Sequence, residues 1–187
     1  MKLSTQPRYN LPRGLLSSEP RGGVAVTKDE FYDCVMEAYR PAETLIKMVP
    51  SDKLEWRPQP QFMSLGQVIC HLSEGMGDGL RCLYTGQWPF TPEQMEAGMR
   101  LENIPSCTVE DALNRLEKDK ATLREFLAGI SEEDFTHKEV STPWGMQGKM
   151  ERLAISFREH FTNHKMQLFT YLKLLGFPVD TSTLYFG

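Results

Sequence analysis

The chain has 187 residues, which fits one domain, and its 40% hydrophobic and 25% charged residues are ordinary for a globular protein. Its 21 Lys and Arg against 25 Asp and Glu give a net charge of -4, which argues against a protein held on nucleic acid by counterion release. No segment approaches the roughly 18 to 20 apolar residues of a membrane span, and the start has no apolar core of a secretory signal. We therefore expect a cytoplasmic protein that binds neither nucleic acid nor membranes.

Residues 1–26 are rich in Pro, Gly, Ser and Arg, and we expect them to form an extended N-terminal arm. The first helix is predicted to begin at Thr27, because Thr27 and Glu30 have the spacing of a capping box. Its apolar stripe has helical spacing: Phe31, Val35, Ala38, Tyr39, Ala42, Leu45, Ile46 and Val49. Pro41 lies inside the stripe and predicts a kink or a break near Tyr39.

A proline-rich linker follows over residues 50–63, and Trp56 and Phe62 are expected to anchor it to the core. The second helix is predicted from a capping-box pattern at residues 64–67 and is expected to end at Gly86. Its inward residues are predicted to be Leu65, Val68, Ile69, Leu72, Met76, Leu80 and Leu83. Three glycines weaken its later turns: Gly75, Gly77 and Gly79.

The second connection is long, over residues 87–107, and a short helix is expected in it around residues 93–101. A third helix is predicted after Thr108 and is closed by Gly129.

Residues 130–148 are expected to be irregular, with a turn at residues 143–145. A fourth helix is predicted over residues 149–175, and the C-terminal tail, residues 177–187, is expected to be irregular. Four helices of about 20 or more residues, without a convincing strand pattern, predict an all-α fold, an antiparallel four-helix bundle over residues 27–176.

The four histidines of the chain are unevenly placed. His160 and His164 are four residues apart on the strongest predicted helix, so they share one face. That face also carries Leu153, Phe157, Gln167, Leu168, Tyr171 and Leu175, so we expect both imidazoles to point into the bundle. His71, beside the inward residues of the second helix, offers a third imidazole. His137, in the irregular stretch, is expected to be a solvated loop residue.

Three imidazoles with an open position are typical of catalytic zinc, and nickel, iron and manganese also bind imidazole. The alternative is that His160 and His164 are ordinary core or surface residues, since an H-x-x-x-H pattern alone is weak and lacks the glutamate of the zincin motif.

Several segments resemble the DinB-like superfamily. The stretches 54–58, 63–68 and 71–72 resemble the entry into its second helix, where a W-x-P linker precedes one ligand histidine. Residues 160–167 resemble its fourth-helix pattern H-x-x-x-H-x-x-Q, and residues 142–145 resemble the turn before that helix. Lys165 and Met166 stand where the family commonly has Arg and Gly.

The resemblance implies a four-helix bundle with a divalent metal ion held by His71, His160 and His164, and we expect that ion to be zinc or nickel first. It also implies a homodimer, and an activity like that of thiol-dependent S-transferases, with a low-molecular-weight thiol and a small-molecule substrate as partners. Its name refers to DNA damage and does not imply DNA binding.

Two functions follow as hypotheses. The first is a metal-dependent transferase or hydrolase acting on a small electrophile, in which Glu74 is a candidate base or support for a ligand and Gln167 could orient a ligand or bound water. Trp144 would line the pocket or contribute only to packing. The second is a non-catalytic protein, metal-stabilised and stress-related or binding a small ligand.

Overall fold

The computed structural model describes residues 26–187, so the predicted arm lies outside the described residues except for Val26. Within that range the chain forms eight α-helices and one hairpin. The helices are α1 (Lys28–Lys47), α2 (Leu65–Leu72), α3 (Met76–Thr85), α4 (Pro92–Gly98), α5 (Val109–Gly129), α6 (Glu132–His137), α7 (Met150–Leu174) and α8 (Thr181–Tyr185). The hairpin strands are β1 (Glu139–Ser141) and β2 (Gln147–Lys149).

Four helical segments surround the main core and confirm the all-α prediction. Helix α1 packs on α5 and α7, and the consecutive helices α2 and α3 also pack on both of them. The capping boxes predicted at Thr27 and Ser64 are present, and Thr108 caps α5 through Asp111 in the same way. The seven inward residues predicted for the second helix are all buried. Among residues 26–187, no helix combines the length and the apolar character needed to cross a membrane.

Helix α1 runs without interruption through Pro41, so of the kink or break predicted near Tyr39 the break is excluded. A proline inside a helix costs about 3 kcal/mol because it removes one hydrogen bond and crowds the preceding turn. Eight residues of α1 are buried, Pro41 among them. Their burial offsets the local cost and keeps the helix intact.

The prediction of a single second helix is wrong, because the structure has two helices in its place. Helix α2 ends at Leu72, and α3 begins at Met76 after an N-cap at Gly75. The first two amides of α3 are capped by a side chain from elsewhere in the bundle: Asp119 of α5 accepts hydrogen bonds from the Met76 and Gly77 N–H groups at 3.0 and 2.8 Å. The three residues between α2 and α3, 73–75, are called the α2–α3 break below.

Three further expectations need correction. The stretch 130–148 is not irregular, since it contains α6 and the antiparallel pair β1–β2. The tail is not wholly irregular either, because Asp180 caps the short helix α8. In the linker, Trp56 packs edge-on against Tyr171, but Phe62 is 43% exposed and does not anchor the chain. Each short element is stabilised by tertiary contacts, which local sequence patterns do not report.

Candidate metal centre

Three histidines from two helices converge at one point. His71 lies in the last turn of α2, and His160 and His164 lie one turn apart on α7. One nitrogen from each ring lies within 4.8 Å of the others. The Nε2 atoms of His71 and His160 are 3.0 Å apart, and the ring centroids of His71 and His164 are 4.5 Å apart. The structure therefore brings together the three residues that the sequence singled out.

The cluster lies at the margin of the bundle, which corrects the prediction that the imidazoles point inward. His71 and His164 are half-buried, and His160 is exposed. The buried stripe of α7 passes through Phe161 and Lys165, one position after each histidine. One residue is a rotation of about 100° on a helix, so the two histidines flank the core and stay within reach of solvent.

Two of the rings are oriented by a side chain three residues later in the chain, which contacts the Nδ1 atom. The Nδ1 atom of His71 is 2.9 Å from Glu74 Oε2, and the Nδ1 atom of His164 is 2.8 Å from Gln167 Oε1. Gln167 also donates from Nε2 to the Tyr171 hydroxyl at 3.1 Å, which fixes the direction of its amide. With each Nδ1 carrying the proton, each Nε2 keeps a free lone pair.

The electrostatics favour neutral rings. Loss of solvent around the imidazole, together with the nearby His164 and His71, lowers the pKa of His160 to about 4, although the residue as a whole is exposed. Burial is also the main reason that the pKa of His164 is lowered. Both rings are therefore neutral at pH 7, the form in which imidazole binds a metal ion.

This donor set fits a divalent ion that prefers nitrogen. Metal–nitrogen bonds of about 2.0–2.1 Å allow two ligand nitrogens to be 3.0 Å apart. Oriented imidazoles whose second nitrogen bonds to a carboxylate or an amide are typical of metal-ligand histidines. Three nitrogen donors suit zinc, nickel, iron or manganese and do not suit calcium, which takes oxygen ligands.

Unlike Glu74 and Gln167, the predicted residues His137 and Trp144 make their side-chain contacts with residues outside the cluster. His137 is exposed in the last turn of α6, where its Nδ1 lies 2.6 Å from the Thr136 hydroxyl, so it lies in a helix and not in a loop. Trp144 is 43% exposed at the hairpin turn and packs against Trp88 and Phe157, with ring centroids 5.2 and 6.2 Å away.

Sequence reasoning missed Asp119, which is 4% exposed and lies behind the α2–α3 break. Besides the two α3 amides, it accepts a hydrogen bond from the Tyr39 hydroxyl at 2.5 Å. A signal for it existed, because Asp119 falls within the apolar stripe of α5, between Leu116 and Leu123. An acidic residue at a core position needs a partner, and here the partners are the start of α3 and Tyr39.

Comparisons with known proteins agree with this architecture. A family model of the DinB superfamily matches residues 37–162, which include His71 and His160 and end two residues before His164. No curated protein matches the sequence.

Two solved structures share the fold. One is a DinB-family protein from Exiguobacterium sibiricum, 20% identical, covering 86% of this chain and 99% of its own, with a TM-score of 0.62. The other is a DinB-like protein from Bacillus cereus, 14% identical, covering 84% of this chain and 98% of its own, with a TM-score of 0.65. Since the family match spans more than half of the chain and the fold agrees, the protein belongs to the DinB superfamily.

Proposed function

We propose that His71, His160 and His164 bind one divalent metal ion, zinc or nickel first and iron or manganese as alternatives, and that the protein is a metal-dependent enzyme acting on a small electrophile. The observation that supports this proposal is the convergence of three imidazoles, two of them oriented through Nδ1. A divalent ion held there would supply Lewis acidity and would lower the pKa of a water or a thiol in its open position.

The side chains around the rings have distinct proposed roles. Glu74 holds His71 with one carboxylate oxygen, and because the side chain is 45% exposed its other oxygen can accept a proton from a thiol or a water. The amide oxygen of Gln167 contacts His164, and its amide nitrogen donates to Tyr171. We therefore assign Gln167 to positioning of His164, and Glu74 both to positioning of His71 and to proton transfer.

Two reactions fit these residues. In thiol transfer, the sulfur of a low-molecular-weight thiol forms a bond to an electrophilic carbon while the leaving group departs, and the thiol proton goes to Glu74. In hydrolysis, water takes the place of the thiol. A small-molecule substrate, a cytoplasmic location and a homodimer belong to the same proposal and rest on the sequence and the family likeness.

A second candidate function is a non-catalytic metal site. The three ligands come from α2 and α7, so one ion would link two helices of the bundle. An ion that binds only the folded state stabilises it by mass action. This geometry favours a stabilising role as much as a catalytic one.

Metal content and turnover together distinguish these functions. Protein purified without a histidine tag would be analysed for metals, then assayed with zinc, nickel, iron or manganese against thiol–electrophile pairs and small esters. Metal near one ion per chain, with turnover that Glu74→Gln reduces and His137→Ala preserves, supports the enzyme. Bound metal and a higher melting temperature without turnover support the second function. Clearly substoichiometric metal, unchanged after incubation with each ion, would refute both.

A further inference from the structure

The buried carboxylate of Asp119 has no part in the proposed chemistry, yet it accepts hydrogen bonds from the start of α3, two residues after Glu74 and five after His71. We propose that Asp119 is a positioning residue of the metal centre: by capping α3 it holds the α2–α3 break and so fixes where His71 and Glu74 stand. This inference rests on the proposed function, since it concerns the same three histidines.

Both carboxylate oxygens of Asp119 accept hydrogen bonds. Its Oδ1 accepts from the Gly77 N–H at 2.8 Å, and its Oδ2 accepts from the Met76 N–H at 3.0 Å and from the Tyr39 hydroxyl at 2.5 Å. A carboxylate removed from water is tolerated when several donors surround it, and the first turn of a helix adds a favourable dipole. These bonds fix the start of α3 against α5.

Few residues separate the capped start of α3 from His71, and hydrogen bonds connect several of them. Glu74 lies two residues before Met76 and contacts the His71 ring at 2.9 Å. The Glu74 N–H also donates to the His71 carbonyl at 3.2 Å, and the Ser73 hydroxyl donates to the Cys70 carbonyl at 2.8 Å. These bonds restrict the conformation of the chain between the capped amides of α3 and His71.

The α2–α3 break and the first turn of α3 also pack directly against α5. A Cβ atom added at Gly75 would lie 2.3 Å from Asp119 Oδ1, and one added at Gly77 would lie 2.6 Å from the backbone nitrogen of Leu123. These distances are too short for side chains there without movement. The glycines therefore let the break approach Asp119 closely enough for its carboxylate to reach both amides.

Helix α5 also contacts the end of α2, on the N-terminal side of the break. Arg115, one turn before Asp119, donates from Nη1 to Cys70 Sγ at 3.2 Å, and Cys70 is the residue before His71. Two positions on α5 thus contact the chain before His71 and after Glu74, although α5 contributes none of the three clustered imidazoles. This arrangement separates the residues that would bind metal from those that place them.

The test compares metal affinity with stability in matched variants. Asp119→Asn keeps the size of the side chain but turns one acceptor oxygen into a donor, so one α3 amide loses its partner. Tyr39→Phe removes only the third hydrogen bond and leaves both amides capped. Phe135→Leu lowers stability in the core under α6, away from the break. The dissociation constant for Zn²⁺ would be measured by competition with a chromophoric chelator, well below every melting temperature.

We expect Asp119→Asn to weaken Zn²⁺ binding by about 10-fold, the lower end of the range for loss of a group bonded directly to a ligand, because Asp119 acts through the chain between Met76 and His71. Tyr39→Phe and Phe135→Leu should stay within about 2-fold of wild type, whatever their melting temperatures. If Asp119→Asn does not fold, Gly75→Ala replaces it, since its Cβ displaces the same carboxylate.

Unchanged affinity in Asp119→Asn, or in Gly75→Ala where that variant replaces it, would overturn the positioning role while leaving the metal centre intact. Equal weakening in Phe135→Leu would also overturn it, because the effect would then be one of general stability. A wild-type protein that binds no Zn²⁺, Ni²⁺, Fe²⁺ or Mn²⁺ would instead refute the proposed function, and the positioning role with it.

Discussion

Removal of one imidazole from the cluster should abolish metal-linked stabilisation while leaving the protein folded. His164→Ala takes away one of the three converging nitrogens, and two remaining imidazoles make a poor site. His137→Ala is the matched control, because it deletes the same ring from an exposed position in α6 outside the cluster. The comparison is therefore between two histidine-to-alanine changes, one inside the cluster and one outside it, and the metal-dependent shift of each variant is measured against its own metal-free melting temperature.

The expected magnitudes follow from linkage. Metal at about 100 times its dissociation constant stabilises the folded state by about 2.7 kcal/mol. For a domain of this size, about 1 kcal/mol shifts the melting temperature by about 2–4 °C, so the wild-type protein should gain about 5–11 °C. In the absence of metal, His164→Ala loses its hydrogen bond to Gln167, worth about 1 kcal/mol, and should melt only about 2–4 °C lower.

The assay is thermal unfolding of chelator-treated protein, followed by circular dichroism with and without Zn²⁺. Wild type and His137→Ala should show the same upward shift, and His164→Ala should show none at the same metal concentration. A shift in His164→Ala as large as that of wild type would refute the shared site. Loss of the shift in His137→Ala would point to a metal site elsewhere.

Three further outcomes are expected. Gln167→Leu leaves the Nδ1 of His164 without its acceptor and should weaken Zn²⁺ binding by about 10- to 100-fold in a chelator competition assay. Gly77→Ala should lower the free energy of unfolding in urea by about 1–3 kcal/mol, because its Cβ would lie 2.6 Å from Leu123 N. The metal-free protein should lose stability as the pH falls from about 6.5 towards 4, since the pKa of His160 is lowered to about 4 and the unfolded chain then binds more protons. Urea unfolding at pH 7 and 4.5 checks this, and His160→Gln should show a smaller loss.

Local signals in the sequence predict the starts of α1, α2 and α5 well. The capping boxes of Thr27 and Ser64 depend on residues three positions apart, and so does the Thr108 cap. The pairing of His160 with His164 likewise depends only on helical spacing. These features could be predicted because the atoms that determine them are neighbours in the chain.

The α2–α3 break could not be predicted in the same way. The apolar spacing continues from Leu72 to Met76 and Leu80, so the pattern is that of one helix. The start of α3 is capped by the carboxylate of Asp119, 43 residues after Met76. The rotation of α7 could not be predicted for a related reason: spacing shows which residues share a face, but the packing partners decide which face is covered.

The proposed metal centre thus combines two local units, joined by tertiary packing, with His160 one turn before the second unit. Each unit contains a histidine and the residue three positions later that holds its Nδ1: His71 with Glu74, and His164 with Gln167. These units are visible in sequence, but the distance between them depends on how α2 and α7 sit on the bundle. If Asp119 sets the position of α2 relative to α5, two chains with identical histidines could still differ in metal affinity. Differences on α5, which carries none of the three imidazoles, would then account for affinity differences that the ligand residues alone leave unexplained.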